Sequence, residues 1–442
     1  MNALRFMLVG MITLMTFFPI LAQNPVTTTL IINADIFDGQ HESLKKGQSV
    51  LIEGNIIKEI APQINVSEGA RIINAKGATL SPGFIGAHEH VMFQVSPADF
   101  LTADTRYFAY VATVTAETYL MNGWTSIRDA SGNSFSLKRA IDEDIIPGPR
   151  IFPSGGMLSQ TAGHADIRIP SNLGSFAGGP PSHAQLFGDL VVADGPDEVM
   201  KAAREQMRLG ATQIKIAVGG SSLSPGDPLD VIEFTEGEIQ AAVKAAEDYQ
   251  TYVMAHVYTP VGIKRSIENG VKCIEHACFA DRETISLMQE KGVWLSVQIL
   301  GFQPSKAEGL TQAQIDQWNE TTAGIDGMLK LTKELNFDKI GFGTDVVYAP
   351  DLIKTINKEF TLRTQWFSTF EIMKQATCNS GQIINLSNRM IPGKLGVIEE
   401  GALADILLIN GNPMEDLNLL LHPEENLLMI MKDGKIYKNI LK

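Results

Sequence analysis

His88-Glu89-His90 closes the run Leu80-Ser81-Pro82-Gly83-Phe84-Ile85-Gly86-Ala87. Along an extended strand, residues two apart face the same side, about 6–7 Å from one another. Two imidazoles placed this way can grip one metal ion. Phe84, Ile85 and Ala87 are apolar enough for a buried strand, and Pro82-Gly83 marks its beginning. Alone the pair is a weak signal, since two histidines ending a core strand can equally be hydrogen-bonded core residues. Further along stand Lys215 in Gln213-Ile214-Lys215-Ile216-Ala217-Val218, His256 in Met254-Ala255-His256-Val257-Tyr258, His276 in Ile274-Glu275-His276-Ala277, and Asp345 after Gly341-Phe342-Gly343-Thr344. Each puts one possible ligand in, or at the end of, a short apolar run. Lys215 is the odd member, because a cation inside such a run is costly to bury unpaired. Four of the eight histidines fall on these runs. The bland reading needs a separate explanation at every place; metal ligation needs one.

The elements that must position these groups follow from periodicity. Short apolar runs at residues 83–91, 125–130, 151–155, 211–218, 252–258, 273–278, 294–300 and 339–345 have strand character. Amphipathic stretches between them, such as 197–209, 235–249, 260–269 and 281–291, read as helices, and Thr235 with Glu238 forms an N-terminal capping signal. Strands alternating with helices predict a parallel sheet. Eight such units within residues 81–392 predict a closed (β/α)8 TIM barrel, typically about 250 residues plus insertions. Turn-punctuated strands in 23–80 and 393–442 predict a small β-sandwich domain built from both chain ends. Barrels of this kind carry their reactive groups at the C-terminal ends of the strands. His88 and His90 close strand one, Lys215 lies in strand four, His256 in five, His276 in six, and Asp345 ends eight. All six therefore converge on one mouth.

Composition sets outer bounds. With 442 residues, 44% hydrophobic and 19% charged, the chain has material for a large core. A net charge of −14 argues against nucleic acid or an anionic membrane as partner. Residues 1–22 resemble a secretory signal: Arg5 begins it, residues 6–21 are uncharged and apolar, and Ala22-Gln23 is a plausible cleavage point. The alternative, a retained anchor, has a short apolar run for a span. A periplasmic or secreted location is the expectation, with no membrane association after cleavage. Cys273, Cys278 and Cys378 form no disulfide framework. Cys273 and Cys278 would flank His276 on opposite faces of one strand, as small buried apolar residues.

The pattern resembles the amidohydrolase superfamily, in its binuclear branch with a carboxylated lysine. The match runs from about Leu30 to Leu420 and includes Pro82-Gly83-Phe84-Ile85-Gly86-Ala87-His88-Glu89-His90 and Leu395-Gly396-Val397-Ile398-Glu399-Glu400-Gly401-Ala402-Leu403-Ala404-Asp405. His256-Val257-Tyr258-Thr259-Pro260-Val261-Gly262 and Ile274-Glu275-His276 look closest to the imidazolonepropionase-related peptidases and amidases, which include Xaa-Pro dipeptidases and ochratoxin-cleaving enzymes. The resemblance implies two divalent ions, zinc by preference: one held by His88, His90 and Asp345, the other by His256 and His276, with a carbamate on Lys215 bridging them. It also implies that Asp345 moves the proton in hydrolysis, that the substrate is a small amide with a carboxylate, and that the protein assembles as a homo-oligomer. Residues 155–197, rich in Gly and Pro, would overhang the mouth as a structureless, functional insertion. Within it Gln160-Thr161-Ala162-Gly163-His164-Ala165-Asp166 resembles the Gly-Gly-His-Gly-Asp of the relatives, where the histidine touches substrate; a tyrosine two beyond the strand-five histidine binds the substrate carboxylate. Those positions are His164 and Tyr258, with departures at Ala162 and Ala165. His183 reads as loop structure, and His41 and His422 as surface.

Three functions compete. Hydrolysis of an amide or peptide bond, in a dipeptide or N-acyl amino acid, is the leading one. A mononuclear deaminase or imidazolone hydrolase lacks the strand-four lysine, so Lys215 discriminates against it. A metal-free scaffold predicts lost ligands, and none is lost. Lactone or phosphotriester hydrolysis uses the same metal pair and stays open.

Overall fold

The computed structural model describes residues 27–169, 171–222, 227–303, 311–389 and 393–441; the expected signal segment lies outside them. In chain order, β1 (Thr28–Ile36), β2 (Lys45–Glu53), β3 (Ile56–Ala61), β4 (Arg71–Asn74) and β5 (Thr79–Pro82) come first. The middle of the chain carries β6 (Phe84–Glu89), β7 (Trp124–Asp129), β8 (Arg150–Pro153), β9 (Met157–Ser159), β10 (Leu190–Val192), β11 (Ile214–Ala217), β12 (Val253–Val257), β13 (Cys273–His276), β14 (Trp294–Gln298) and β15 (Ile340–Gly343). Then follow β16 (Ile406–Ile409), β17 (Leu427–Lys432) and β18 (Lys435–Asn439).

The first and last groups pair into one sheet of order β18-β17-β16-β5-β1-β2-β3, with β4 beside β1. The chain ends meet where β16 runs antiparallel to β5, Leu408 opposite Leu80. Alternate residues such as Ile31, Val50, Leu80, Ile406, Leu408 and Met429 share one apolar cluster, as the two-residue side-chain period requires. Instead of the two sheets of a sandwich, the hydrogen bonds form a single eight-stranded sheet. The reason lies in β1: it pairs with β2 on one edge and with both β4 and β5 on the other, and its register slips near Ala34. Such irregularities bend a strand, so β1 carries the sheet around its own core without a break.

The middle strands are parallel and form two sheets, β6-β7-β8 and β10-β9-β11-β12-β13-β14-β15. After β6 come α1 (Pro97–Thr102) and α2 (Thr105–Met121); α3 (Phe135–Asp142), α4 (His183–Leu186), α5 (Pro196–Leu209), α6 (Glu236–Asp248), α7 (Pro260–Glu268), α8 (Arg282–Lys291) and α9 (Gln312–Glu334) follow in alternation with strands. Local chemistry sets their ends. The Thr235–Glu238 capping box starts α6, and Asp281 with Thr284 starts α8. Gly210 (φ 110°) and Gly292 (φ 67°) stop α5 and α8 in the left-handed conformation that glycine takes freely. Apolar residues of the strands, Ile214, Val253, Ile274, Leu295 and Ile340 among them, are buried in one large core cluster. Backbone bonds also connect the two sheets. The Thr344 and Asp345 N–H groups donate to His88 O at 3.3 and 3.2 Å, and Thr212 N–H donates to Pro153 O at 2.9 Å.

Each of the eight expected runs contains a strand. The sixth is shorter than expected, because His276 and Ala277 turn to φ 69° and 52°. Cys278 therefore leaves the strand, and the expectation that Cys273 and Cys278 sit on opposite faces of it is corrected; both are buried free thiols. Residues 155–197 are not structureless, since β9, β10 and α4 lie within them. Among the described residues no helix is long and apolar enough to cross a membrane.

Candidate metal centre and active site

His88, His90, Lys215, His256, His276 and Asp345, with His164 and Tyr258, all line one cavity of about 650 Å³. The histidines His88, His90, His256 and His276, with Asp345 and Tyr258, reach it from the C-terminal ends of β6, β12, β13 and β15 or just beyond, Lys215 from within β11, and His164 from the loop after β9. Asp345 is the meeting point. Its Oδ1 lies 3.1 Å from His90 Nε2 and 3.4 Å from His88 Nε2, and its Oδ2 is 3.7 Å from His276 Nδ1. One ligand atom from each of His88, His276 and Asp345 fits within 4.8 Å of the others. Asp345 and His276 both hold left-handed backbone, φ 52° and 69°. For residues with a Cβ this costs on the order of 1 kcal/mol each, and such strain collects at functional sites.

The four histidines share an arrangement. His88 Nδ1 pairs with Glu275 Oε2 at 2.6 Å, His276 Nδ1 with Gln298 Oε1 at 2.7 Å, His90 Nδ1 with Ser131 O at 3.5 Å, and His256 Nε2 with Gly220 O at 3.1 Å. An acceptor on one nitrogen keeps the proton there and leaves the other nitrogen as a lone-pair donor. Burial lowers the pKa of His90, His256 and His276, which keeps them neutral. Burial opposes charge on Asp345, but the surrounding histidines, His88 foremost, hold its carboxyl well below the usual range. Neutral imidazoles around a carboxylate suit a divalent cation. Lys215 is fully enclosed; burial lowers its pKa to about 8, against the pull of Glu275 and Asp345.

His164 stacks on His256, ring centres 4.3 Å apart, and its Nδ1 meets Asp227 Oδ2 at 3.0 Å. Burial disfavours its charged form, yet Asp227 and Glu233 outweigh that and raise its pKa. Glu233 Oε1 accepts the His164 backbone N–H at 2.7 Å and Oε2 accepts the Ser159 hydroxyl at 2.6 Å, so the loop is pinned. The positive φ of Ala162, 60°, shows that alanine here takes a conformation that glycine adopts more cheaply. Tyr258 is buried beside His256 and His276, ring centres 4.8 and 5.4 Å away. Burial raises its pKa well above 10, so the phenol remains a neutral donor.

Sequence reasoning missed Glu275, Arg128, Gln298 and Asp227. Glu275 accepts from Arg128 Nη2 at 2.7 Å as well as pairing with His88, and both side chains are fully buried. The signal was present: opposite charges inside two apolar strands must find partners, as Lys215 must.

Comparisons place the chain among known proteins. The sequence model of the Amidohydrolase family matches residues 79–437. Ochratoxinase of Aspergillus niger is 33% identical over 328 residues, 72% of this chain but only 66% of the relative. A crystal structure of an amidohydrolase superposes with TM-score 0.87 at 34% identity, covering 94% of this chain and all of the other. A prolidase complexed with N-methylphosphonate-L-proline gives TM-score 0.86 at 30% identity, covering 93% of this chain and 100% of that one.

The orienting acceptors generate a prediction. Gln298→Leu removes the His276 anchor without adding a charge, and loss of such a partner typically weakens metal affinity about 10–100-fold. Metal titration should show that loss, with circular dichroism unchanged; unaltered affinity would mean that Gln298 does not orient the ligand.

Proposed function

The chain belongs to the amidohydrolase family, and from that premise we propose that it hydrolyses an amide or peptide bond in a dipeptide or N-acyl amino acid. The observation that carries this reading is the convergence of four anchored imidazoles, Asp345 and buried Lys215 on one cavity. In this reading the two parallel sheets are one closed (β/α)8 barrel. His88, His90 and Asp345 would hold one divalent ion and His256 and His276 a second, zinc in both cases. The approach of one Asp345 oxygen to both His88 and His90 supports the first set. A neutral Lys215 amine adds CO₂ and releases a proton to become an anionic carbamate joining the two sites. Its lowered pKa supports that, since only the neutral amine reacts.

Bound there, the two cations supply an acidified water and a polarised substrate carbonyl. The chain's own groups do the rest. Asp345, anionic and central, takes the proton from the attacking water and delivers it to the leaving amine. Tyr258 donates its phenolic hydrogen to the substrate carboxylate, and His164, fixed by Asp227, contacts the substrate from the opposite loop. The neighbouring prolidase holds a proline derivative, and a further relative, a Xaa-Pro dipeptidase at 29% identity and TM-score 0.82, holds methionine; both ligands are built on amino acids, which supports a carboxylate next to the scissile bond. The protein is read as acting outside the cytoplasm after loss of residues 1–22.

A screen of dipeptides and N-acyl amino acids with the metal-loaded protein tests the activity. Tyr258→Phe should lower kcat/KM on the free acids about tenfold or more, for about 1.4 kcal/mol, with metals retained. On C-terminally amidated analogues, wild type and variant should perform alike. If wild type cleaves amidated and free substrates equally, the carboxylate is not what it reads. Lys215→Ala should lose metal and activity together, both partly restored by short-chain carboxylic acids. Normal metal content in that variant would remove the bridge.

A further inference from the structure

Arg168 also lines the cavity, although neither metal ligation nor the Tyr258 contact uses it. Its Nε and Nη2 donate to the two carboxylate oxygens of Asp166, both at 2.6 Å. This two-pronged pair fixes the plane of the guanidinium. Asp166 is itself held, because its Oδ2 accepts from Ala162 N–H at 3.0 Å and its own N–H donates to Gly163 O at 2.8 Å. A guanidinium carries five N–H donors, and Asp166 takes one from each of two nitrogens. Nη1 has no partner among the described residues, so the Nη1–Nη2 edge remains a second fork of the same geometry. The side chain is 13% exposed and lines the cavity.

The position of Arg168 says which part of a ligand it meets. Ile169 and Leu101 line the same cavity and are 58% and 52% exposed. Ile169 follows Arg168 directly in the chain, so Arg168 stands near the outer rim of the cavity. Phe100 and Ile167 add apolar lining to the same cavity. The charges that act on Arg168 are those of Asp166 and Asp194, not those of the histidine–Asp345 cluster. A cavity of about 650 Å³ lies within the range that encloses drug-sized ligands.

We propose that the free edge of Arg168 is an anion subsite that takes a carboxylate borne on the end of the substrate remote from the scissile amide, across an apolar stretch. The substrate class is then an amide whose acyl half is an apolar chain ending in an acid. This rests on the amide-hydrolase reading for its chemistry, but the subsite can be measured without turnover. Suberate and octanoate, equal in carbon number, are titrated calorimetrically into the metal-loaded protein and into Arg168→Met and Arg168→Lys. Suberate should bind wild type at least tenfold more tightly than octanoate. The ratio should fall to about one in Arg168→Met and lie between in Arg168→Lys, which keeps the charge but not the fork. The same ratios should appear in kcat/KM for N-suberyl and N-octanoyl amino acids. Suberate binding no tighter than octanoate in wild type overturns the subsite even if the variants fail to fold. A ratio that survives Arg168→Met in a folded protein overturns it too. Tight, Arg168-dependent suberate binding in a protein that cleaves none of the amides would keep the subsite and remove the amide reading.

Discussion

The site depends on one buried carboxylate. Glu275 receives Arg128 Nη2 at 2.7 Å on one oxygen and His88 Nδ1 at 2.6 Å on the other, with no solvent at either side chain. Arg128 continues the chain of contacts through its Nε to Ala87 O and its Nη1 to the Tyr252 hydroxyl at 3.1 Å. Residues from β6, β7 and β13, with Tyr252 just before β12, are thereby tied together beneath the histidines. Desolvation of two charges consumes most of what their attraction returns, so such a pair adds little net stability. What it contributes is position: a fixed His88 ring and a fixed negative charge near Lys215. Burial opposes the Glu275 charge, but Arg128 and His88 keep its carboxyl well below the ordinary range.

Two further buried carboxyl groups hold the strand ends around the candidate ligands. Glu89, between His88 and His90, accepts from the Tyr119 hydroxyl at 2.8 Å and from Thr344 N–H at 2.9 Å. It thus ties β6 to the residue that precedes Asp345. Burial pushes its pKa up to about 8, so it is mostly a neutral, hydrogen-bonded clamp. Glu359 accepts Ile299 N–H at 3.2 Å and Leu300 N–H at 2.7 Å, and Arg363 joins it at 2.7 Å while donating to Gly341 O at 3.1 Å. This pair fixes the end of β14 against β15. Asp345 can hold its left-handed backbone because the strands on either side of it are tied independently.

Much of this was legible in the sequence, for definite reasons. The candidate ligands announce themselves because polar groups in apolar strand runs are expensive, and a shared position along the strands makes them convergent. The capping box of α6 is short-range chemistry and was readable as such. The partners were not. Glu275 stands beside His276 in the very run that drew attention, but its meaning depends on Arg128, 147 residues away. Gln298 and Asp227 acquire their roles only when the fold brings them to His276 and His164. The end of β13 at His276 was hidden because a positive φ at a non-glycine residue has no local signature. The continuous sheet of the chain ends reflects pairing choices of β1 that alternation alone cannot rank.

In the proposed function the histidines, Asp345 and Lys215 form a binuclear centre. Elemental analysis of the purified protein, with activity followed as metal is added back to the stripped chain, addresses it most directly. Six ligand residues including a bridge exceed what one tetrahedral ion accepts. A binuclear centre gives two divalent ions per chain, with activity complete only when the second is bound. Full activity at one ion per chain would contradict it.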